Sequence, residues 1–152
     1  MRAYKARLLF KKDRKLAYEW ASKAVKRAPN WADAHYWLAE AADDYALAFQ
    51  DEHQPSNQAI IVRLGHLEMR SCDRAEKLDP ALRPYLYMQR INASRLIADK
   101  KAARMIPIYA DAYLRAFPNY ATFYQKSWGK NEAQIREMYA KIARDIAAKA
   151  TS

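Results

Sequence analysis

The sequence predicts an all-α protein, and three observations support that class. Only two of its 152 residues are glycine, which leaves little of the turn chemistry that β-hairpins need. Alanine, leucine, lysine, arginine and glutamate, which favour helices, are abundant. Apolar residues recur three and four positions apart in several stretches, as they do on one face of a helix. A chain of this length is expected to form one domain over 1–152, with room for three or four helical pairs.

The clearest helix junction lies at Pro29-Asn30. Proline lacks the amide donor and disfavours helical geometry in the residue before it, so a helix over about 14–28 is expected to end there. Asn30 is expected to cap the next helix, which continues to about Gln50. The predicted apolar face of this second helix comprises Trp37, Leu38, Ala41, Ala42, Tyr45 and Phe49.

The segments on either side of these two helices are shorter or more polar. A short first helix is predicted over 2–10, with Lys11-Lys12 as its turn and Asp13 as the cap of the next helix. The polar segment 51–57 contains a proline and is predicted to be the longest loop. A helix is then predicted over 58–78, and its apolar positions include Ile61, Leu64, Leu67, Cys72 and Ala75.

Two further helices are predicted before residue 118. The first starts at Pro84, since proline is tolerated in a first helical turn, and ends at a turn marked by Lys100-Lys101. Its side chains Tyr85, Met88, Asn92 and Arg95 give one face a mixed character. The second helix runs to Phe117, and Pro107 within it is expected to mark a helix start or a kink.

The last predicted elements are a short helix over 119–127 and a terminal helix over 131–150. Gly129 is expected to stop the short helix. Asn131 and Gln134 are spaced as in a capping box, which would start the terminal helix. An apolar stripe predicts that this helix covers the last pair, and it consists of Ile135, Met138, Tyr139, Ile142 and Ile146.

A motif around the first junction resembles the tetratricopeptide (TPR) pattern. It reads Asp13-x3-Ala17-x2-Trp20-x3-Ala24-x4-Pro29-Asn30-x-Ala32-Asp33-Ala34-x3-Leu38-Ala39. The resemblance is best over 1–50 and departs from the family at Lys5 and Lys12. It implies an irregular stack of about seven to eight helices, forming an α-solenoid fragment of a right-handed superhelix. The helical pairs over 58–128 are expected to be irregular. The prolines at the helix junctions, Pro29, Pro80 and Pro118, are 51 and 38 residues apart, whereas a regular repeat has about 34 residues.

The chain is also similar, more loosely, to an uncharacterised bacterial family of TPR-like helical proteins. The similarity lies in a helix ending in Leu78-Asp79-Pro80, and in Tyr124-x3-Trp128-Gly129 followed by a helix containing Met138-Tyr139. A second glycine of that family is replaced here by Lys130. This similarity implies a bacterial origin and no particular activity.

The net charge of +10 is unevenly distributed along the chain. Residues 1–30 carry a net charge of +8, residues 31–58 carry six acids and no lysine or arginine, and the remainder carries +8. An acidic band between two basic ones is typical of a surface that orients charged partners. The alternative is that these runs are ordinary solvated helix faces.

A candidate partner-binding groove is predicted on the second helix of the Pro29 junction. Asp33, Tyr36, Glu40 and Asp43 follow one another at intervals of three, four and three residues, which places them on one stripe. By the TPR resemblance this helix lines the concave surface. Three carboxylates around a tyrosine can accept hydrogen bonds from lysine or arginine of a partner, and the ring adds cation–π contact. The stripe lacks the Lys, Arg and Asn with which TPR proteins clamp a C-terminal carboxylate.

Two alternatives to the groove remain. In the first, Asp33 serves the helix terminus and the other carboxylates pair with the neighbouring basic helix. In the second, the protein binds nucleic acid through its basic N-terminal and C-terminal helices, the former carrying Arg7, Lys11, Lys12, Arg14 and Lys15. No nucleic-acid-binding motif accompanies this basic patch.

No motif of enzyme chemistry is present in the sequence. Phosphate loops, metal-binding histidine or cysteine pairs and nucleophile elbows are missing, so no catalytic residue, metal or cofactor is predicted. His53 beside two acids could bind a metal, but a solvated turn is the expected role. Cys72 near Arg70 and Arg74 could be reactive, but a buried apolar role is favoured.

These patterns together predict a non-enzymatic protein–protein interaction module of the adaptor, chaperone or toxin-neutralising type. Its partner is a protein or peptide, possibly with a basic segment. A single cysteine, the absence of an apolar N-terminal signal and the absence of long apolar runs predict a cytoplasmic protein without membrane insertion.

Overall fold

The computed structural model describes residues 11–150, and the helix predicted over 2–10 lies outside this range. All-α is confirmed as the fold class, since the described residues form helices and no strand. The seven α-helices are α1 (Lys11–Arg27), α2 (Ala32–Asp51), α3 (Gln58–Leu78), α4 (Arg83–Ile97), α5 (Lys100–Ala116), α6 (Pro118–Trp128) and α7 (Glu132–Lys149). Short 3₁₀ turns at Pro55–Asn57 and Pro80–Leu82 precede α3 and α4.

Sequential packing builds the domain. Helices α1 to α5 each pack on the next, as expected of helices joined by short connections, and α2 also contacts α4. Helix α7 packs on α5, whereas α6 makes few contacts and contains no buried residue. The contact between α2 and α4 places two alternate helices side by side. The superhelical arrangement implied by the TPR resemblance stays a prediction.

The buried residues of α1 to α5 and α7 form four hydrophobic clusters. At the N-terminal end, α2, α3 and α4 contribute a cluster that includes Phe49, Leu64 and Leu96. At the C-terminal end, Ile106 and Ile135 belong to a cluster of α4, α5 and α7. The predicted stripe of α7 packs into this second cluster, as expected for a helix that covers the last pair.

Helices α3 and α4 approach each other closely at Gly65. A Cβ atom at this position would lie 2.8 Å from the Cβ of Leu96 and 3.1 Å from the backbone nitrogen of Ile97. Only a residue without a side chain fits this separation. The glycine therefore fixes how far α3 and α4 stand apart.

Several predicted boundaries are confirmed. Helix α3 has the predicted bounds, 58 and 78. The capping box of α7 is present, because the Asn131 side chain accepts from the Gln134 amide while the Gln134 side chain accepts from the Asn131 amide. Gly129 ends α6 in the left-handed conformation that glycine favours.

Two predictions about helix starts near the N-terminus are wrong. Lys11-Lys12 do not form a turn, and Asp13 is not a cap, because all three lie inside the first turns of α1. Asn30 does not cap α2 with its side chain. Trp31 occupies the N-cap position, and the Asn30 Oδ1 atom instead accepts a hydrogen bond of 3.0 Å from Arg74 Nη2 of α3.

The turn between α4 and α5 also differs from the prediction. Lys100-Lys101 are the first residues of α5, and Asp99 caps that helix by accepting a hydrogen bond of 2.6 Å from the Ala102 amide. The turn lies two residues before Lys100, at Ala98, which adopts φ 55°. Helix α5 then continues through Pro107, so no helix starts at that proline.

Two details of the second helix and the following loop are corrected as well. Trp37 was expected on the apolar face, but its side chain is 42% exposed and contacts Trp31 edge-on. The loop 51–57 is shorter than predicted, because α2 includes Asp51 and a 3₁₀ turn occupies Pro55–Asn57.

Candidate functional site

The candidate site is a groove formed by two adjoining cavities. The first, of about 570 Å³, is lined by Tyr36, Glu40, Asp43 and Asp44 of α2, by Tyr85, Met88, Gln89 and Asn92 of α4, and by Tyr113 and Phe117. The second, of about 650 Å³, is lined by Asp43, Asp44, Leu47, Gln50, Asn92, Arg95, Leu96, Ile142, Asp145, Ile146 and Lys149. We call them the aromatic cavity and the basic-rimmed cavity. Asp43, Asp44 and Asn92 belong to both, so the two cavities form one groove.

The centre of the groove is acidic. Burial, followed by the charge of Asp44, raises the pKa of the Asp43 carboxyl group from 3.8 to about 7. Burial also raises the pKa of Asp44. Asn92 Nδ2 donates a hydrogen bond of 3.3 Å to Asp43 Oδ2, which ties α4 to α2 at this point. Both carboxyl groups therefore hold protons more readily than exposed ones do.

A third carboxyl group, Glu68 of α3, lies behind Asp43 and Asp44. It is fully buried, and neither of its carboxyl oxygens has a hydrogen-bond partner among the described residues. Burial raises the pKa of Glu68 well above its usual value, and the charges of Asp43 and Asp44 raise it further. We call Asp43, Asp44 and Glu68 the acidic cluster.

The acidic cluster lacks a cation in direct contact within the part of the chain that the structure describes. Glu40, Asp43 and Asp44 form no ion pair with lysine or arginine there. Arg95 and Arg14 are near enough to lower the pKa values of Asp43 and Asp44, respectively, yet neither outweighs burial. Within the described residues, Arg14 of α1 therefore acts on Asp44 through its charge and not through an ion pair.

Aromatic rings border the acidic centre on one side. Tyr85 and Tyr113 each contact Phe117, with ring centroids 5.4 and 5.0 Å apart. Ring contacts continue from Tyr113 through Tyr120 and Tyr124 to Trp128 along α6. Tyr85 is 56% exposed and lines the aromatic cavity. These rings provide apolar and cation–π surface next to carboxylates.

The structure brings together three of the four predicted groove residues. Tyr36, Glu40 and Asp43 line the aromatic cavity, whereas Asp33 is exposed in the first turn of α2 and lines neither cavity. The sequence reading missed Asp44 and Glu68. A signal existed for Glu68, since it lies four residues from both Leu64 and Cys72 on the apolar face of α3. The mixed face noted on α4 is the face that lines the groove.

The structure does not place all five residues of the predicted basic patch on the surface. Arg7 lies outside the described residues, and the side chain of Lys11 is also outside them. Arg14 is buried, with its Nη1 atom 3.4 Å from Asp51 Oδ2. Lys12 and Lys15 are exposed, and Lys15 lies 3.8 Å from Glu19. Burial removes Arg14 from contact with a phosphate backbone.

The other residues considered for metal binding or reactivity are Cys72 and His53. Among residues 11–150, no group of three or more His, Cys, Asp or Glu side chains could hold a metal ion. Cys72 is buried, and burial together with the nearby Glu68 raises the pKa of its thiol, which disfavours the reactive thiolate. His53 is exposed in the turn after α2, where it adopts φ 52°.

The comparisons assign this site to no known class. No protein-family model, no curated protein and no solved structure matches the chain. In the described part of the chain, none of the helices combines the length and the apolar character that crossing a membrane requires.

Proposed function

We propose that this protein is a non-enzymatic interaction module that binds a protein or peptide partner in the groove. One observation carries the proposal: Glu40 and Asp43 share the aromatic cavity with exposed ring surface, and among residues 11–150 no lysine or arginine lines that cavity. Carboxylates beside aromatic rings complement a basic segment, because the carboxylates accept its hydrogen bonds and the rings pack on its aliphatic stems.

The groove also offers partners for a peptide backbone. Gln89 lines the aromatic cavity. Asn92 lies at the junction of the two cavities, and within the described chain its side chain donates to Asp43. Side-chain amides of this kind can satisfy the amide and carbonyl groups of a bound segment, which would otherwise be left unpaired.

The TPR resemblance supports the same type of function without naming the partner. Alternate helices α2 and α4 lie side by side and both line the groove, as the first helices of TPR pairs do. We propose a cytoplasmic, bacterial protein that acts as an adaptor, a chaperone or a toxin-neutralising partner. Nucleic-acid binding is the alternative, and it is disfavoured by the acidic centre of the groove.

A peptide selection tests the proposal directly. Random peptides of about twelve residues are selected on the purified protein, and the enriched ones are labelled and titrated by fluorescence anisotropy. We expect basic peptides whose affinity falls about tenfold for Glu40→Gln and for Tyr85→Ala. Single-stranded and duplex oligonucleotides of mixed sequence are titrated in parallel.

Two variants outside the groove serve as controls. Glu137→Gln removes one exposed acid of α7, and Phe123→Ala removes one exposed ring of α6. Neither is expected to change affinity by more than about twofold. Groove variants that bind the peptides as tightly as the wild type would overturn the proposal, and tight oligonucleotide binding without peptide binding would establish the alternative.

A further inference from the structure

The two cavities differ in the charge of their walls. The basic-rimmed cavity carries Arg95 and Lys149, whereas no cation of the described chain lines the aromatic cavity. Asp43 and Asp44 lie where they meet. A cationic group approaching through the aromatic cavity therefore reaches two carboxylates without passing another positive charge.

Glu68 adds a buried acid with no partner of its own. Its carboxyl oxygens are inaccessible and lack hydrogen bonds in the described chain, and it lies close enough to Asp43 and Asp44 for their charges to act on it. A buried carboxyl group without a partner costs free energy, and three acids close together cost more when they ionise. A cation held at Asp43 and Asp44 would offset the second cost, the repulsion among the ionised acids.

We propose, on the basis of the proposed function, that the acidic cluster is a pocket for the cationic end of one lysine or arginine side chain of the partner. The aliphatic stem lies along Tyr85 and Met88 of the aromatic cavity. The ammonium or guanidinium group donates hydrogen bonds to Asp43 and Asp44. Glu68 does not touch the cation, because it lines neither cavity, and it acts through its charge.

A metal ion is a poorer occupant than an organic cation. Residues 11–150 contain no grouping of His, Cys, Asp and Glu suited to a metal. A metal would also leave the neighbouring rings of Tyr85 and Phe117 without a function, whereas a long side chain covers them. The amide of Asn92 already orients Asp43 toward the junction of the cavities.

Binding in this pocket is coupled to proton release. The charged groups that face the cluster are Arg14 of α1, Glu40 of α2, Arg95 of α4, and Asp145 and Lys149 of α7. Their balance leaves Asp43 with a pKa of about 7, so near neutral pH part of the cluster is protonated. An entering cation favours the ionised form, and affinity consequently rises as the pH increases through this range.

A double-mutant cycle between peptide and protein tests the pocket. In a selected peptide without histidine, each arginine is replaced by citrulline and each lysine by norleucine, which keep the shape and remove the charge. We expect one replacement to weaken binding to the wild type about tenfold or more, and to weaken binding to Asp43→Asn by no more than about twofold. Glu137→Gln is the matched control and must behave as the wild type does.

The pH profile supplies a second readout. Wild-type affinity is expected to be about fivefold higher at about pH 8 than at pH 5.5, and this ratio is expected to fall below about twofold for Asp43→Asn combined with Glu68→Gln. Circular dichroism of each variant confirms that it is folded. Replacements that all weaken binding equally in every variant would overturn the cation pocket.

The outcomes separate this pocket from the groove as a whole. If peptides bind and Tyr85→Ala weakens them, but no charge replacement couples to Asp43, the groove function stands and the cation pocket is wrong. If no peptide binds, the proposed function itself fails. Spermidine is titrated alone as a free polyamine, and binding as tight as that of the peptides would assign the pocket to a small molecule instead of a partner side chain.

Discussion

Two buried charged sites differ in how completely they are paired, and one joins α3 to α4 while the other joins α2 to α3. In the first, the largely buried Arg90 guanidinium of α4 has its Nη2 atom 3.0 Å from Asp73 Oδ1 and 2.9 Å from Glu76 Oε2 of α3. In the second, the acidic cluster holds three carboxyl groups without a cation in contact, within the described chain. The first site is closed and the second is open.

The difference shows in the ionisation of each site. Burial alone would lower the pKa of Arg90, but hydrogen bonding to Asp73 and the neighbouring charges raise it, so the cation is held. Burial raises the pKa values of Asp43, Asp44 and Glu68, and nothing at the cluster reverses the change. A buried charged side chain that is fully paired typically has a structural role, whereas a buried charged side chain without a partner is a candidate binding-site residue.

Breaking the closed site should have the largest effect. Arg90→Met keeps the length of the side chain but leaves Asp73 and Glu76 without their buried cation. We expect the free energy of unfolding to fall by about 2–3 kcal/mol, less than for a fully buried pair because Asp73 is largely exposed. Urea unfolding measures this loss, and the exposed Arg144→Met should cost less than about 0.5 kcal/mol. Equal costs for the two variants would contradict the comparison.

Changing the separation of α3 and α4 should affect both sites together. Gly65→Ala places a methyl group 2.8 Å from the Leu96 Cβ atom, and the helices must move apart to accept it. We expect a loss of about 1–2 kcal/mol in unfolding free energy, although alanine is the better helix former. His66→Ala, at the adjacent exposed position, is the control. A stabilised Gly65→Ala protein would show that the close approach is not a constraint.

Neutralising the open site should stabilise the protein at neutral pH. The pKa of Glu68 is higher in the folded state than in the unfolded state, so the folded state binds more protons at a pH between these two pKa values. The free energy of unfolding therefore falls as the pH rises from the unfolded pKa to the folded pKa. Glu68→Gln removes that loss. We expect a gain of about 1 kcal/mol at about pH 8 and little difference near pH 4, where both forms are neutral. A gain that is equal at both pH values would contradict the role of the charge.

The smallest predicted effect is a backbone change that does not depend on pH. Ala98 ends α4 with φ 55°, a conformation that glycine adopts with less strain. Ala98→Gly is expected to raise the free energy of unfolding by about 0.5 kcal/mol, since the relief of strain exceeds the added entropy of the unfolded chain. Thermal melts at about pH 4 and 8 should show the same gain, unlike those of Glu68→Gln.

Local patterns predicted most helices well, and they failed where a polar residue had two possible roles. Helix α3 and the capping box at Asn131 follow from signals within a few residues of one another. Asn30 has the properties of a cap, yet it bonds to Arg74, which is 44 residues away. Lys100-Lys101 look like a polar turn, yet the cap is Asp99. The sequence near a polar residue does not determine whether that residue caps a helix or bonds to a distant side chain.

The candidate site was predicted only in part for a similar reason. The spacing of Tyr36, Glu40 and Asp43 identified one wall of the groove, because helical periodicity fixes which residues share a face. The opposite wall comes from α4, which packs on α3, and from α5, which packs on α4 and α7. Glu68 acts on the groove carboxyl groups through its charge, although the apolar pattern of α3 predicts a core helix.

The sequence by itself determined the all-α class, most helix bounds and the uneven distribution of charge. These properties depend on residues that are near one another along the chain, such as prolines, caps and apolar repeats. The tertiary structure alone decided which charged residues are buried and whether each has a counter-charge. Among residues 11–150, Arg90 is paired and Glu68 is not, because burial and pairing depend on side chains that other helices bring to the same place.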